Sequence, residues 1–388
     1  MRPMVSVSPS VLAELVYRAL ENERALDFRY RDLYLNAEKE DLRIPNYKPM
    51  VQVSLKRRLG LLYRPFIWLA VFLAPLLNLL NLLTAFVRAL WPIQNAKDAV
   101  YIFPTSATNR DLIMQAMAQA PGRPDPKGPV IQVTAAFIAR SLGVGGVGTC
   151  AFALVLLYAR IFRMAGRRID LSLHARDAVF LLLLTAFALR NKDKEFWSDC
   201  HYQRWGFLLS SASANYHAVQ HGFVDDGISF PFAFGQMQCL AVRHPRFVPQ
   251  FEHYYAVGRH YAFSPTVRFD TVGSGDILFL ASSAPHIDEE IAFLRRLKGG
   301  ANMPIAVKLH PAHKYDERKA ELLALADLTC GPMERPAARY FVSHSSFMEY
   351  EYEAAGTLTC SIARCGGSEA AAQWILKRLD RRHLAQTD

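Results

Sequence analysis

The sequence predicts an α/β protein with two Rossmann-like domains, and three observations lead to that prediction. From residue 98 onward, short apolar runs alternate with longer helical patterns, which is typical of parallel sheets with crossover helices. The chain has 388 residues, enough for two domains that each bury a core. A glycine-containing stretch at 268–276 divides the alternation in two. We therefore expect domains at 98–265 and 266–388, preceded by a basic and apolar region at 1–97.

Composition and charge narrow the class of partner. Hydrophobic residues make up 51% of the chain and charged residues 21%, as in folded globular proteins. The formal net charge of +10 predicts an anionic partner: a nucleic acid, an acidic membrane surface or a phosphorylated substrate. We expect no nucleic acid, because the basic residues cluster beside apolar helices and not in stripes interleaved with aromatic residues. The 6 cysteines form no CxxC pair and lack histidines at zinc spacing, so we expect reduced thiols, no metal and no cofactor.

A long uncharged segment in the region 1–97 predicts contact with a membrane. No charged residue occurs between Arg64 and Arg88, and such a run is long enough to cross a bilayer as a helix. Pro75 and two asparagines near its middle fit a kinked helix in the membrane interface equally well. The sequence leaves open whether the segment 66–87 spans the membrane, lies in its interface or is a buried helix. Because the N-terminus lacks the apolar core of a secretory signal, we expect peripheral or monotopic attachment on the cytoplasmic side.

The elements of the domain 98–265 follow from hydrophobic periodicity and turn residues. Residues 143–148 satisfy the pattern GxGxxG, but a helix and not a strand precedes them. A dinucleotide-binding turn needs a strand that runs directly into the first glycine, so we interpret these glycines as a link between two helices. We expect strands at 99–103, 130–133, 216–220 and 254–257, and helices at 109–120, 150–164, 178–189 and 205–212.

The domain 266–388 repeats the same alternation after the glycine-containing stretch. Its apolar runs are bounded by proline, glycine and polar residues, which indicates short buried strands between amphipathic helices. We expect strands at 277–281, 304–309, 340–342 and 357–362, and helices at 288–298, 317–326 and 369–382.

Chemistry-bearing residues follow three of the predicted strands. His221 and the pair Asp225 and Asp226 follow the strand 216–220, so an imidazole and two carboxylates share one loop. Adjacent carboxylates repel, so one of them can hold its proton to higher pH and serve as a general base. A simple surface turn is the alternative interpretation of Asp-Asp-Gly.

The other two strand ends lie in the second domain. Lys308, His310 and Pro311 end the strand 304–309. The sequence Ser343-His344-Ser345-Ser346 follows the strand 340–342 and begins a helix with Glu349, Glu351 and Glu353. Free N–H groups at a helix start predict an anion site, whereas an ordinary serine cap is the alternative. Because strand ends meet at one edge of a parallel sheet, we expect these two clusters side by side, facing the first across an interdomain cleft.

The motifs QHG at 220–222, LHP at 309–311 and SHSS at 343–346 resemble those of bacterial surface-polysaccharide transferases of the GT-B type. These families are the polysialyltransferases, the lipooligosaccharide sialyltransferases, the capsule Kdo transferases and, more remotely, the glycerophosphotransferases of teichoic acid synthesis. The resemblance covers roughly residues 215–365. It implies metal-independent transfer of a sugar from a nucleotide-activated donor, with a CMP-sugar favoured, to a glycan or lipid-linked acceptor at the inner membrane.

The resemblance also implies roles for individual residues. Asp225 or Asp226 would be the general base, although His221 takes that role if the Kdo and glycerophosphate transferases are the better guide. His310 would contact the donor phosphate and assist the leaving group. Ser345 and Ser346 would bind that phosphate. Beyond the resemblance, we expect donor contacts from Lys308, Pro311, Ser343, His344, Glu349 and Glu353 as well. Two alternatives stay open, a glycerophosphotransferase and a non-catalytic membrane-associated protein of the same fold. The glycerophosphotransferases usually have Thr-Asp-Tyr-Ser-Ser where this chain has Val-Ser-His-Ser-Ser, and this difference counts against that alternative.

Overall fold

The computed structural model describes most of the chain and shows an α/β protein with two parallel sheets. Contacts divide the chain into two compact units, with the main boundary between Phe263 and Ser264. Unit 1 includes the helix Pro9–Asn36. The described residues are 7–36, 59–123, 126, 128–163, 171–199, 203–222, 228–265, 276–300, 303–310, 315–331 and 334–385.

Unit 1 contains a six-stranded sheet in the order β2-β1-β3-β4-β5-β6, and each pairing is parallel. The chain leaves β1 in one direction to form β2 and returns on the other side of β1 to form β3. This reversal creates a topological switch point between β1 and β3, where α/β proteins bind ligands. The strands are β1 (Val100–Phe103), β2 (Val130–Gln132), β3 (Phe196–Ser198), β4 (Tyr216–Val219), β5 (Gln236–Val242) and β6 (Ala256–Ala262).

The helices of unit 1 pack against this sheet and against one another. The helix Ala178–Arg190 is buried along most of its length. Its Phe187 packs edge-on against Tyr101 of β1, with ring centroids 4.9 Å apart. In the fourth helix, Gly143 has φ 65° and ψ 179°, which kinks the chain between two helical segments and confirms the predicted link. The helices are α1 (Pro9–Asn36), α2 (Tyr63–Ala89), α3 (Ala107–Ala118), α4 (Ala135–Arg163), α5 (Leu171–His174), α6 (Ala178–Arg190), α7 (Arg204–Ala212) and α8 (Val248–Glu252).

Helix α2 buries a narrow stripe of residues at intervals of three and four positions, as expected for a helix packed on one side. Asn78 lies in this stripe, fully buried, where it donates to the Ala175 carbonyl and accepts from the Val179 N–H at 3.0 Å. The amide therefore faces the protein interior and not the outer surface of the helix. The stripe consists of Val71, Ala74, Asn78, Leu82, Ala85 and Ala89.

Most of the other residues of α2 are apolar and exposed, apart from Asn81, Thr84 and Arg88, and α4, which packs against α2, exposes further apolar side chains. Two helical segments, Val71–Ala89 and Ala135–Arg163, are long and apolar enough to cross a membrane. We call the exposed apolar residues of α2 and α4 the apolar face. Its members are Trp68, Leu69, Phe72, Leu73, Leu76, Leu77, Leu79, Leu80, Leu83, Val87, Val144, Phe152, Val155 and Phe162.

Buried His217 in β4 makes unit 1 sensitive to acid. Its ring stacks on Trp197, Nε2 lies 2.7 Å from the Asn215 amide oxygen, and Nδ1 is buried with no hydrogen-bond partner among the described residues. Protonation would therefore add a buried N–H without an acceptor, and burial lowers the pKa of His217 to about 4.

We predict that His217→Phe flattens the pH dependence of stability. Between pH 6.5 and 4 the unfolded histidine binds a proton that the folded one does not, so the free energy of unfolding falls as the pH drops through this window. Phenylalanine can keep the stack on Trp197 and does not titrate. Urea denaturation from pH 7 to 4 should give a shallower slope for the variant. Equal slopes would show that His217 does not titrate as inferred.

Unit 2 contains a five-stranded parallel sheet in the order β11-β10-β7-β8-β9, with its switch point between β7 and β10. The expectation that the ends of β8 and β10 lie side by side is wrong, because β7 lies between them. The strands are β7 (Leu278–Ser282), β8 (Ile305–Leu309), β9 (Leu328–Cys330), β10 (Tyr340–Ser343) and β11 (Leu358–Ser361). The helices are α9 (Ile287–Lys298), α10 (Arg318–Ala324), α11 (Met348–Ala354) and α12 (Ser368–Ala385).

Candidate functional site

A buried carboxylate occupies the switch point of unit 1. Asp199 follows β3 directly and its side chain is fully buried. It accepts hydrogen bonds from the Thr105 backbone N–H at 2.9 Å, from the Thr105 hydroxyl and from the Asn109 side-chain amide. Thr105 follows β1 and Asn109 lies in the first turn of α3. Three donors on one buried carboxylate fix its position and satisfy its oxygen atoms.

His221 follows β4 and is oriented by the same residue. Its Nδ1 lies 2.5 Å from the Asp199 backbone oxygen and 3.5 Å from a carboxylate oxygen of Asp199. A carbonyl oxygen only accepts, so Nδ1 carries the proton of the neutral ring and Nε2 carries the lone pair. The side chain is 28% exposed, which leaves it accessible to a substrate. His221 therefore has the orientation of a general base.

The sequence predicts His221 as a site residue but gives no prediction for its partner Asp199. The strand before Asp199 has three residues, and we did not recognise it as a strand. The signal was nonetheless present, because Phe196 and Trp197 are apolar and Asp199 follows them as His221 follows β4. Asp225 and Asp226 lie outside the described residues, and their role as base stays a prediction.

In unit 2, two histidines meet at the switch point. His286 lies between β7 and α9, and His344 follows β10. Their rings stack with centroids 3.5 Å apart and planes inclined by 7°. The His344 Nε2 lies 3.5 Å from a carboxylate oxygen of Glu289, in the first turn of α9. Of these three residues, only His344 was predicted as a site residue.

The serines at the end of β10 form hydrogen bonds within the turn that leads into α11. The Ser343 hydroxyl accepts from the Ser346 N–H at 3.0 Å, and the Ser346 hydroxyl accepts from the Met348 N–H at 3.2 Å. These two side chains therefore occupy backbone N–H groups that an anion would otherwise use. Ser345 is exposed, with its hydroxyl 3.5 Å from His344 Nδ1. Ser345 is thus the most accessible of these hydroxyls.

The glutamates of α11 differ in their surroundings. Glu349 is buried and forms an ion pair with Arg364, and Glu351 is buried with an oxygen 3.0 Å from Arg335. Glu353 is exposed. The two buried carboxylates therefore help to hold α11 in place, and Glu353 is the one open to a ligand from solvent.

Lys308 and His310 lie at the end of β8. Lys308 is 7% exposed, and its ammonium group donates to the Glu334 carbonyl at 3.0 Å. Burial and then nearby Arg335 lower the pKa of Lys308. His310 is on the surface, although partial burial and the charge of Lys308 lower the pKa of its ring. A neutral His310 ring can donate one hydrogen bond to a phosphate oxygen. Pro311 lies beyond the described residues.

A buried carboxyl group supports the loop after β7. Glu290 of α9 is fully buried and accepts from the Ser282 hydroxyl at 2.6 Å and the Ser283 N–H at 2.9 Å. Burial raises the pKa of Glu290 to about 7, more than these hydrogen bonds lower it. The Tyr315 hydroxyl adds a second tie, since it accepts from the His310 N–H and donates to the Ser282 carbonyl. The ends of β7 and β8 are therefore linked.

Comparison with known proteins gives no relative. The sequence matches no protein-family model, and neither the curated proteins nor the solved structures yield a significant match. Function is therefore inferred from the residues at the two switch points. These are Asp199 and His221 in unit 1, and His344 and Ser345 in unit 2, with His310 on the next strand.

Proposed function

We propose that this protein is a glycosyltransferase of the GT-B type that moves a sugar from a nucleotide-activated donor, with a CMP-sugar favoured, to a capsule or other surface-glycan acceptor. The observation that carries the proposal is the Asp199–His221 pair at the switch point of unit 1. It offers an oriented imidazole to an incoming hydroxyl group. Two parallel sheets in separate compact units, each with a polar switch point, fit this class of enzyme.

The proposed reaction is a direct displacement. The His221 Nε2 removes the proton of an acceptor hydroxyl, and that oxygen attacks the anomeric carbon of the donor sugar. A new glycosidic C–O bond forms as the C–O bond to the nucleotide phosphate breaks, with inversion at the anomeric carbon. The proton stays on the His221 imidazolium, which the Asp199 carboxylate stabilises at 3.5 Å.

On the donor side, the departing phosphate gains negative charge and needs hydrogen-bond donors. The accessible donors in unit 2 are the His310 ring and the Ser345 hydroxyl, with His344 beside Ser345. Lys308 is held by the Glu334 carbonyl, so its proposed contribution is the electric field of its charge and not direct contact. Glu353 remains a candidate for the donor ribose hydroxyls, whereas the ion pair with Arg364 already occupies Glu349.

We further propose that the apolar face attaches the protein to the cytoplasmic surface of the inner membrane. Exposing a row of leucine side chains to water costs free energy, and burying them in the membrane interface recovers it. Unit 1 covers the buried stripe of α2 from Val71 to Ala89, so the folded body lies alongside this length of the helix. This supports a helix in the plane of the interface over one that crosses the bilayer alone.

A turnover assay with a panel of donors tests the proposed reaction. The purified protein with a membrane extract as acceptor should release nucleotide from one CMP-, UDP- or GDP-sugar. A histidine base also occurs in the glycerophosphotransferases that the sequence resembles, so CDP-glycerol belongs in the panel. Turnover of CDP-glycerol alone would favour that alternative. If the protein consumed none of the donors, the catalytic proposal would fail and the non-catalytic one would stand.

A further inference from the structure

We propose that His286, Glu289 and His344 form a binding site for one divalent transition-metal ion at the switch point of unit 2. Each residue offers one ligand atom, and these atoms lie within 4.8 Å of one another. Imidazole nitrogen with one carboxylate oxygen is a ligand set that suits Zn²⁺, Co²⁺ or Ni²⁺. No metal was expected from the sequence, and the proposed sugar transfer does not require one. The metal site shares His344 with the proposed donor side, but metal binding can be measured without the transfer reaction.

The fold assembles this site from distant parts of the chain. His286 and Glu289 are three positions apart at the start of α9, so they lie near one another on its first turn. His344 follows β10, which pairs with β7 in parallel register, with Ser343 opposite Ala281. The two strand ends thus bring His344 to the start of α9. No short metal-binding motif exists in the sequence, because the topology and not the spacing brings the ligands together.

One of the three distances between ligand atoms is close to that expected around a bound ion. Two ligand atoms about 2.0–2.1 Å from a tetrahedral ion lie about 3.3 Å apart. The Glu289 oxygen and the His344 Nε2 are 3.5 Å apart, which is close to that value. The stacked rings of His286 and His344 do not point at a common centre, since ligand lone pairs lie in the ring planes. Binding therefore requires one ring to turn out of the stack, a side-chain rotation that leaves the backbone in place.

The partly exposed ligands suit a metal ion that keeps one coordination position open to solvent. His344 is 13% exposed and Glu289 is 49% exposed, so an ion can enter from solvent. Three protein ligands leave a fourth tetrahedral position for water or another oxygen. The hydrogen bonds from Ser282 and Ser283 to Glu290 hold the loop that carries His286 against α9. That support keeps the two ligands of this segment in a fixed relation.

Titration of the metal-stripped, tag-free protein with Co²⁺ and Zn²⁺ tests this site. We expect one ion per chain by calorimetry, and Co²⁺ should give the visible absorption of a four-coordinate site with nitrogen and oxygen ligands. Glu289→Gln and His286→Ala should each weaken binding by at least about 10-fold. Glu317→Gln is a matched control, because Glu317 is an exposed glutamate next to a different helix of unit 2, and it should bind as the unaltered protein does.

Three outcomes would overturn the proposal. The first is the absence of saturable binding by either ion. The second is binding that survives both ligand substitutions unchanged while circular dichroism shows intact folds. The third is a thiolate-to-cobalt charge-transfer band, which would place the ion at cysteines such as Cys360 and Cys365, whose sulfur atoms lie 3.4 Å apart.

Discussion

Replacing His221 with alanine is expected to lower kcat for sugar transfer by about 10²–10⁴-fold, the usual contribution of a general base. The KM for the donor should change little, because the proposed donor contacts lie in unit 2. Added imidazole should restore part of the activity in the His221→Ala protein, since it can replace the missing base. A purely structural role for His221 would not be rescued in this way.

The variant Asp199→Asn provides a second test of His221 as the general base. The side-chain oxygen of the new amide could still accept the Thr105 N–H, but the neutral amide would no longer stabilise an imidazolium on His221. We expect kcat to fall. Because Asp199 is fully buried, the thermal unfolding midpoint of the variant is measured in parallel, to separate a loss of activity from a loss of stability. His260→Ala is the control, since His260 is an exposed histidine of β6. Full activity of the His221→Ala protein would show that His221 is not the general base and would favour Asp225 or Asp226 in that role.

Replacing Leu76, Leu80 and Leu83 with serine is expected to release the protein from lipid vesicles. These side chains are 58%, 57% and 53% exposed on the apolar face. Complete burial of one leucine stabilises by roughly 1.5–3 kcal/mol, so even half of that for three leucines gives about 2–4 kcal/mol. The vesicle partition coefficient should fall by about 100-fold, as measured by flotation or sedimentation with anionic vesicles.

A matched variant separates membrane contact from general loss of hydrophobicity. Leu328 and Leu358 are exposed leucines of unit 2, at 38% and 47%, and their replacement with serine should leave partitioning unchanged. Equal partitioning of the triple variant and the unaltered protein would contradict the assignment of the apolar face. Equal losses in both variants would contradict it as well, because the effect would not be local.

The alternation of strands and helices could be predicted from the sequence because most buried strands here are short apolar runs. The prediction failed where that signal is weak. The strand β3 has three residues and β5 begins with glutamines at positions 236 and 238, and neither was predicted. The strand predicted at 254–257 overlaps β6, which continues to Ala262 at the sheet edge through the polar residues Arg259 and His260. Edge strands face solvent, so their polar residues cost little, and apolar periodicity cannot reveal them.

The candidate sites were predictable only where chemistry follows a recognised strand. His221, His310 and His344 satisfy that condition and were found. Asp199 was missed with β3, and His286 was missed because its proximity to His344 depends on strand order. Strand order is set by how crossover helices pack on the two faces of the sheet, which a single sequence does not encode as a local pattern.

The most direct test of the transferase assignment is a thermal-shift measurement with free CMP, CDP, UDP and GDP. A nucleotide that binds the folded state raises the unfolding midpoint by an amount that grows with its affinity and concentration. We predict that one of the four raises the midpoint by a few degrees, and that a double variant, His310→Ala with Ser345→Ala, loses most of that rise. No shift with any of the four nucleotides at millimolar concentration would contradict the assignment.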